Sequence, residues 1–506
     1  MTNVWTKFKT YFPSSLNKWN KYFLNSLPII FSAMIFSLNS FVDNFMSTNI
    51  EGGNQALAYA NTWTEILIGI ISLTTIVGSA IFAQYFGKKD YKNVSEIINL
   101  RMLFSFFIAL SFAIPTWIVS KNMIIAISGF DNNINPLIIN NASNYLMLIT
   151  ASWLINSLWY TSSMILRETH HGFVSFISSV LSLLINILLN SIFIYILNKG
   201  IVFLAYSTIV SNIVSFVFVI IFKIIRDRNV LWNPFKFYIL SKEIFVHFFS
   251  RWLSFILLSI GSVAVSIRFV IWNIGYPTGT IGLPIFSLSA ANILGITGMF
   301  FNIFWTTFDS INSNVAVFVG NELGQNNIQN AKNNSKELLG FHTLLAICMG
   351  IILFSLSFGI EKMTFLAKGY KLSLISSSPN LTDVEITSAI SIFMRNIKWS
   401  LWTLSLFMPM FIWFITKNRV ICSGGHTLQV AIVESISGLL QLLWLWIIGD
   451  IFNGKNHHQL PFAWAYFIFY LSDIVKFIIY EILEKKLNWA RNITINKKTS
   501  KKAITS

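Results

Sequence analysis

The stretch FVSFISSVLSLLINILLNSIFIYIL, residues 173–197, decides the fold class of this chain. It contains no Asp, Glu, Lys, Arg or His, and it exceeds the roughly 20 apolar residues that a helix needs to cross a bilayer. We therefore interpret it as a transmembrane helix. Eleven further apolar runs of spanning length lie at 24–45, 57–83, 97–119, 137–165, 201–224, 245–274, 281–319, 338–359, 399–416, 428–449 and 462–483.

The overall composition agrees with a polytopic helical membrane protein. Of the 506 residues, 54% are hydrophobic and 11% are charged, whereas ordinary soluble domains carry about 25% charged residues. A soluble protein of this size could not cover its surface with so few charges. The 47 Phe and 17 Trp exclude a disordered chain, because disordered chains are poor in aromatic residues.

The net charge of +16 follows from the topology. In a soluble protein, such an excess of Lys and Arg would indicate nucleic-acid binding. If the N-terminus is cytoplasmic, most of the 36 Lys and Arg fall on the cytoplasmic side of the twelve spans, as the positive-inside rule requires. We therefore expect a multi-pass protein of the plasma membrane with both termini in the cytoplasm, and no nucleic-acid partner.

A basic connection at 225–244 divides the chain into two halves of six spans each. The segments AQYFGKKDYKNV (83–94) and GNELGQNNIQNA (320–331) align without gaps at equivalent places in the two halves, with Gly87 opposite Gly324. Equivalent ends in one compartment indicate parallel repeats, related by a pseudo-two-fold axis along the membrane normal. The sequence thus predicts an all-α polytopic membrane protein with twelve transmembrane helices in two six-helix lobes.

This division sets the predicted domain boundaries. They are a cytoplasmic N-terminal tail at 1–23, an N-terminal lobe at 24–224, the inter-lobe connection at 225–244, a C-terminal lobe at 245–484 and a basic cytoplasmic tail at 485–506. Within the C-terminal lobe, the polar segment near 360–398 is long for an outer loop. We interpret it as an insertion rather than a disordered lid.

Ionisable residues inside spans are costly in lipid and are functional candidates by default. Asp43, near the outer end of the first span, is either an interfacial residue that faces water or a carboxylate that binds a cation or a proton. In the fifth span, Asn186 and Asn190 are four residues apart and project from one face of the helix. They either hydrogen-bond a neighbouring helix or bind an ion. Thr208, in the sixth span, adds a hydroxyl group.

Four other intramembrane residues are candidates for a substrate site or a second ion site. Asp309 lies among polar side chains in FWTTFDSINSN that suggest a hydrated wall, and Glu434 lies several residues into the eleventh span. Glu65 and Arg268 fall in the outer halves of their spans, so they are candidates for an ion pair. Arg268 is the one arginine that this division leaves inside a span.

Motifs of soluble enzymes do not occur in the sequence. GxxxxGK[ST], HExxH and GxSxG are absent, so we expect neither ATP-driven nor hydrolytic activity and no enzyme. Asp473 is interpreted as a helix-end residue beside Lys476. Two histidine pairs are interpreted as solvated loop residues and two cysteines as inert buried thiols: His170–His171, His457–His458, Cys348 and Cys422. We expect no cofactor, and no metal other than sodium at Asp43.

Several motifs, in their order along the twelve spans, resemble those of the multidrug and toxic compound extrusion (MATE) transporters. Pro28 lies early in the first span, which closes with VDNFMS. AQYFGKKD resembles the family's Gln-x-x-Gly-x-x-Asp, INILLNSIFI its Asn-Ile-Ile-Leu-Asp/Asn-Pro-Leu-Phe-Ile, and AYSTIVS its Ala-Ala-x-Ala-Thr. VGNELGQNN resembles Val-Gly-Gln-x-Leu-Gly-x-Gly, and SGGHT followed by Glu434 resembles Gly-Gly-Asp-Thr followed by an acidic residue.

The resemblance implies a secondary active antiporter that exports amphipathic or cationic organic compounds in exchange for protons or sodium, by alternating access between the lobes. It assigns cation coupling to four residues: Asp43, Asn186, Asn190 and Thr208. The chain departs from the family at Asn190, where many relatives have Asp, and at His426, which replaces the Asp of Gly-Gly-Asp-Thr. The implied partners are small organic molecules and the lipid bilayer, with the transporter as a monomer.

Two other functions remain open. A lipid or lipid-linked glycan flippase of the same superfamily would need a cationic groove for phosphate groups, and one arginine within a span is little for that purpose. A non-transporting membrane scaffold or receptor would have little use for carboxylates and amides inside the bilayer. The coupling ion is also open, because Arg251 and Trp252 stand where one sodium-coupled branch of the family has a glutamate.

Overall fold

The computed structural model describes residues 9–47, 50, 53–127, 136–226, 232, 241–275, 290–367, 371, 375, 381–452 and 460–495. The described residues form helices joined by short turns, and no β-strand occurs among them. Parts of the predicted tails and connections lie outside the described residues: 1–8, 227–231, 233–240, His457, His458 and 496–506.

Twelve helical rods run through the described residues, and each overlaps one of the predicted spans. The first six, α1 to α6, are Leu16–Ser47, Gly53–Gly87, Tyr91–Ile127, Pro136–Glu168, Gly172–Ser191 and Val202–Arg226. The rod α7 consists of Lys242–Phe249 and Trp252–Gly275, and α8 consists of Ala290–Trp305, Asp309–Val315 and Asn321–Gly324 with irregular turns between them. The last four, α9 to α12, are Ile328–Ile360, Asp383–Ser423, Thr427–Phe452, and the pair Phe462–Leu471 and Asp473–Lys486.

Ten helices of the described chain are long and apolar enough to cross a membrane. The two remaining rods are polar or interrupted. Buried Ser, Thr and Asn side chains lie along α4. A 3₁₀ turn at Thr306–Phe308 and a π turn at Ala316–Gly320 divide α8. Such turns inside a helix are frequent at functional sites and hinges, and here they flank the polar run that contains Asp309.

The twelve rods form two six-helix lobes with the same internal packing. In the first lobe, α1 packs against α5, α3 against α4, and α4 against α6. In the second lobe, α7 packs against α11, α9 against α10, and α10 against α12. Each pair in one lobe corresponds to the pair six helices later in the other, as the relation between two parallel repeats requires.

The helix α10 is much longer than the span predicted at 399–416. It begins at Asp383 because Thr382 and Glu385 form a capping box. The Thr382 hydroxyl accepts from the Glu385 N–H at 3.4 Å, and the Glu385 carboxylate accepts from the Thr382 N–H at 2.9 Å. The later part of the polar segment near 360–398 is therefore the first turns of a helix. Three stretches of that segment lie outside the described residues: 368–370, 372–374 and 376–380.

The lobes meet at the face of the bundle that carries both ends of the described chain, here called the terminal face. Asn25 Nδ2 of α1 donates to Asn314 Oδ1 of α8 at 2.8 Å, and Asn314 Nδ2 donates to Ser26 Oγ at 2.8 Å. Nearby, Lys18 Nζ pairs with Glu337 of α9 at 2.8 Å. These polar contacts join the two lobes on this side.

Two glycines let α2 and α8 touch at the terminal face. A methyl group on Gly87 would overlap the backbone of Asn321, and one on Gly324 would overlap the backbone oxygen of Gln84. Only glycine allows so close an approach of two backbones. The two glycines that the repeat alignment matched therefore lie at one and the same contact between the lobes.

Candidate functional site

Asp43 lies where α1, α5 and α6 converge, and only 7% of its surface is exposed. Asn190 Nδ2 of α5 donates to Asp43 Oδ1 at 2.6 Å, and Thr208 Oγ1 of α6 donates to Asp43 Oδ2 at 3.4 Å. Asn190 Nδ2 also donates to Asn186 Oδ1 at 3.0 Å, and Asn186 Nδ2 donates to Thr208 Oγ1 at 3.3 Å. The structure thus brings the four predicted coupling residues into one closed ring of hydrogen bonds.

Local sequence explains why α5 can approach its neighbours so closely. Its buried positions form one stripe of small and polar residues: Gly172, Ser175, Ser178, Ser179, Ser182, Asn186 and Asn190. Small side chains at a helix interface let backbones come together in membranes, and amides there hydrogen-bond across helices. The stripe therefore positions both asparagines against α1 and α6, next to the carboxylate.

One amide oxygen of the ring accepts no hydrogen bond from the part of the chain that the structure describes. Asn190 Oδ1 is buried and has no hydrogen-bond partner among the described residues, and the same holds for Asn39 Oδ1, one helical turn before Asp43. Asn39 was not singled out from the sequence, although its spacing of four from Asp43 repeats the spacing of the two asparagines on α5. Carboxylate and amide oxygens together suit a hard cation such as sodium, and an unpaired oxygen equally suits a protonated carboxyl group as donor.

Asp43 has no cationic partner in the described part of the chain. Its hydrogen-bond partners are two amides and a hydroxyl group, and no salt bridge to it is found there. A carboxylate buried in a membrane protein ordinarily pairs with a cation or loses its charge. The site therefore has the composition of a place where a cation or a proton binds.

The second lobe holds two carboxylates that do have internal cations. Glu434 of α11 pairs with Lys476 of α12, and it accepts hydrogen bonds from Tyr480 at 2.7 Å and Asn418 at 2.8 Å. The ammonium group of Lys476 also lies over the ring of Phe414 at 5.0 Å. This predicted candidate therefore already has a positive charge at its side.

A second network joins α7, α11 and α12, the counterparts of α1, α5 and α6. Arg268 donates to Gln441 Oε1, and Gln441 Nε2 donates to Asp473 Oδ1 at 2.6 Å. The guanidinium also lies 5.4 Å from the ring centre of Phe469. Asp473 is buried at a break in α12, so its interpretation as a helix-end residue was incomplete. The sequence did not single out Gln441.

Glu65 and Arg268, which the sequence left as candidates for an ion pair, do not pair among the described residues. Arg268 contacts Gln441 instead, and Glu65 makes no hydrogen bond or ion pair within the described residues. Glu65 is exposed and lies one turn from Gly69, on the face of α2 where a Cβ would lie 2.9 Å from Ser262 of α7. Its carboxylate thus belongs to the side of α2 that faces the other lobe.

Asp309 lies between the lobes near two arginines. It interacts electrostatically with Arg167 of α4 and Arg419 of α10, and Tyr160 of α4 belongs to the same group of charges. The expectation that Arg268 alone lies inside a span was wrong. Five more arginines lie within helices of the described residues: Arg101, Arg167, Arg226, Arg395 and Arg419.

Of the two histidine pairs, His170–His171 lies in the described turn between α4 and α5, and His457–His458 lies outside the described residues. Within the described residues, no group of three or more His, Cys, Asp or Glu could hold a metal ion. Burial and the neighbouring His171 lower the pKa of His170. Burial and the positive charge of Arg491 lower the pKa of His426, so both rings are neutral at neutral pH.

Comparisons with known proteins agree with this architecture. The MatE family model matches residues 28–192. No curated protein matches the chain. A MOP superfamily transporter from Pyrococcus furiosus has 16% identity and a TM-score of 0.71, with 92% of this chain and 96% of that chain covered.

Two other solved structures are similar over the same length. A multidrug resistance MATE family transporter in an outward-facing conformation has 15% identity and a TM-score of 0.72, with 92% and 96% covered. A MATE protein in complex with MaD3S has 16% identity and a TM-score of 0.70, with 92% and 94% covered. The family match covers α1 to α5, and the structural matches cover both lobes. The chain therefore has the fold of these transporters over both lobes, and its residues 28–192 match the MatE family model.

Proposed function

We propose that this transporter is a secondary active antiporter that exports amphipathic, cationic organic compounds in exchange for a proton or a sodium ion bound at Asp43. The observation that carries the proposal is the ring formed by Asp43, Asn186, Asn190 and Thr208. In this ring the buried carboxylate has no cationic partner among the described residues, and the amide oxygen of Asn190 is unused. The similar structure that is described as a multidrug resistance MATE family transporter supports the substrate class.

The coupling follows from the electrostatics of a buried carboxylate. Without a bound ion, the charge of Asp43 is unfavourable in its packed site; with a bound ion, the site is neutral and the helices can close around it. Binding of the ion on one side of the membrane and its release on the other therefore favour different arrangements of the first lobe. Such a difference in affinity is what a transport cycle requires.

The second lobe has a different role in this proposal. Lys476 and Arg268 supply positive charge beside Glu434 and Asp473, so an external cation is not needed there. Glu65 is the carboxylate that we propose for contact with a cationic substrate, because it faces the other lobe without a partner among the described residues. Asp309 lies near Arg167 and Arg419 between the lobes, and we assign these residues no part in substrate binding.

The proposed orientation puts the terminal face in the cytoplasm. The support is the excess of Lys and Arg in the segments at that end of the bundle. We propose the plasma membrane as the location and a monomer as the working unit.

The test is transport by purified protein in liposomes, with proton and sodium gradients imposed separately. We expect Asp43→Asn to abolish export of a cationic dye driven by either gradient, because the ring would then be neutral without an ion. Asp383→Asn, at the exposed start of α10, is the matched control and should transport normally. Export by Asp43→Asn at the normal rate would refute the coupling role.

A lipid or lipid-linked glycan flippase is the second candidate, and one observation favours it. Arg419 lines a small cavity between the lobes, and Arg167 lies near the same Asp309. Arginine is a strong phosphate ligand. The similar transporter from Pyrococcus furiosus is described as having a binding pocket of reverse polarity, which suggests a different function. Liposomes in which the protein moved a labelled lipid phosphate but exported no cationic dye would reverse our ranking.

A further inference from the structure

The chain beyond α12 runs back along the terminal face. At Leu487 the backbone becomes extended, with φ −85° and ψ 134°, and the segment then crosses the face as far as Thr494. Trp489 and Ala490 are each only 6% exposed. We call residues 487–494 the strap.

The strap is bound to the second lobe at the α10–α11 turn and at the end of α8. Arg491 Nε donates to the carbonyl of Gly424 at 2.8 Å. A methyl group on Gly424 would overlap the carbonyl oxygen of Trp489, so the strap lies directly on that turn. Asn492 Nδ2 donates to the carbonyl of Gly324 at 3.2 Å.

One side chain of the first lobe joins the strap to the second lobe. Gln84 of α2 is fully buried, and its Nε2 donates to the carbonyls of Ser423 at 2.7 Å and Arg491 at 3.1 Å. Its Oε1 accepts from the N–H of Ile493 at 2.7 Å. Each polar atom of this amide is therefore used, and the partners are one residue of α10 and two of the strap.

We propose that the strap is a latch that holds the lobes together at the terminal face and must leave Gln84 before that face opens. Separation of α2 from α10 would break the bonds of Gln84 to Ser423, Arg491 and Ile493, and a buried amide without partners is costly. The latch proposal rests on the alternating-access cycle proposed above, because a latch has a function only if the terminal face opens during that cycle.

A native cysteine reports on this face. Cys422 of α10 is 2% exposed and lines the small cavity between the lobes, opposite Ile76 and Ala83 of α2. The other cysteine, Cys348, is exposed on α9, so its interpretation as a buried thiol was wrong. Replacement Cys348→Ser therefore leaves one thiol whose reaction with a maleimide measures access to the gap between the lobes.

The first experiment compares two deletions in the Cys348→Ser background. One chain ends at Lys486 and lacks the strap; the control ends at Ile495 and keeps it. We expect Cys422 to react at least about tenfold faster without the strap, because several hydrogen bonds are lost and each stabilises the closed state roughly a few-fold. The control should react as the full chain does. Equal rates in both deletions would overturn the proposal.

A point substitution covers the case in which the shortened chain does not fold. Gln84→Glu keeps the shape of the side chain but points a carboxylate oxygen at the carbonyls of Ser423 and Arg491. It should also accelerate labelling of Cys422 by about tenfold, because repulsion between the carboxylate and the two carbonyl oxygens replaces two donated hydrogen bonds. Gln325→Glu, exposed at the end of α8, is the matched control and should leave the rate unchanged.

Loss of the strap would also speed labelling if it exposed Cys422 locally while the lobes stayed together. A distance measurement distinguishes local exposure of Cys422 from separation of the lobes. Spin labels at Lys92 and Lys332, both exposed at the terminal face on opposite lobes, are placed in a chain with Cys348→Ser and Cys422→Ser. We expect longer distances to gain population in Gln84→Glu. An unchanged distance distribution would refute the latch.

The latch and the proposed antiport can fail separately. Neither the labelling nor the distance assay needs substrate or an ion gradient, so normal export by Asp43→Asn would leave their results unaffected. In the converse case, Asp43→Asn abolishes coupled export while Gln84→Glu has no effect on either assay. That result would support the proposed antiport and refute the proposed latch.

Discussion

Asn190 has two roles in the first lobe, because its amide nitrogen binds Asp43 while its oxygen is left without a partner in the described chain. An aspartate at this position would lack the donated hydrogen bond and would put a second negative charge within about 3 Å of the first. The asparagine therefore keeps the site at one charge. If the site binds the proposed cation, Asn190 limits the negative charge that attracts it.

The substitution Asn190→Asp tests that role. Two carboxylates at this distance cannot both be ionised without a cation between them, so we expect the apparent affinity for the coupling ion to rise by about tenfold or more. The measurement is the rate of dye export in liposomes as a function of sodium concentration and of pH. Asn198→Asp, in the exposed turn after α5, is the control. An unchanged dependence on both ions would contradict the assignment of Asn190.

Arg101 and Glu168 form a fully buried ion pair at the terminal ends of α3 and α4. Two hydrogen bonds join them, at 2.6 Å and 3.0 Å, and neither side chain is exposed. Removal of one partner leaves an uncompensated buried charge. We expect Glu168→Ala to lower the free energy of unfolding by about 3–5 kcal/mol, seen as a lower midpoint of thermal denaturation in detergent.

The pair of Lys398 with Glu361 is the control for this experiment. It spans 3.3 Å, and the Glu361 side chain is 43% exposed. Water screens such a pair, so Glu361→Ala should cost less than about 1 kcal/mol. Equal losses for the two variants would mean that burial does not govern the strength of these pairs.

At the scale of elements, the contact of α2 with α8 depends on the absence of a side chain at Gly324. A methyl group there meets the backbone of Gln84, which cannot move aside as a flexible side chain can. Gln84 lies at this contact, and its side chain hydrogen-bonds the strap. The two helices thus act as the joint between the lobes.

We expect Gly324→Ala to destabilise the protein by about 1–3 kcal/mol, as overpacking of a tight contact does. Gly359→Ala on α9 is the matched control, since nothing lies within 4 Å of a Cβ at that position. There the substitution should be neutral or stabilise by up to about 1 kcal/mol, because alanine favours helix more than glycine does. The measurement is thermal denaturation of both variants in detergent. Equal midpoints would refute the dependence of the α2–α8 contact on glycine at position 324.

At the scale of the whole molecule, two lobes with the same packing differ in their charges. Equivalent helices carry Asp43, Asn186 and Thr208 in one lobe, and Arg268, Gln441 and Asp473 in the other. Both networks contain a carboxylate and an amide. Only the second contains a cation of its own among the described residues, so the fold is symmetric and the electrostatics are not.

This asymmetry predicts that one cation moves per transport cycle. Glu434 and Asp473 need no external ion, because Lys476 and Arg268 already supply positive charge there. The stoichiometry is measured in liposomes as the opposing substrate gradient that just stops ion-driven export. A value of two ions per substrate would contradict the prediction.

The sequence predicted the helices and the first-lobe site for a physical reason. Asn186 and Asn190 share a face by their spacing alone, and Asp43 joined them through a motif resemblance. The Arg268 network required the packing of three helices that are distant in sequence, so no local pattern revealed it. Arg101 was counted with the basic residues of a connection although it falls within the predicted span at 97–119, and its partner Glu168 makes its burial tolerable.

The irregular turns of α8 have a mechanical consequence. Along one rod the backbone changes from i+4 bonding to a 3₁₀ turn at Thr306–Phe308, back to i+4, and then to a π turn at Ala316–Gly320. A π turn holds one more residue than an α turn, so its displacement along the chain rotates the intervening residues by about 100° while the backbone stays hydrogen-bonded. Movement of the π turn along α8 would thus rotate Asp309 and its polar neighbours about the helix axis without bending or melting the helix.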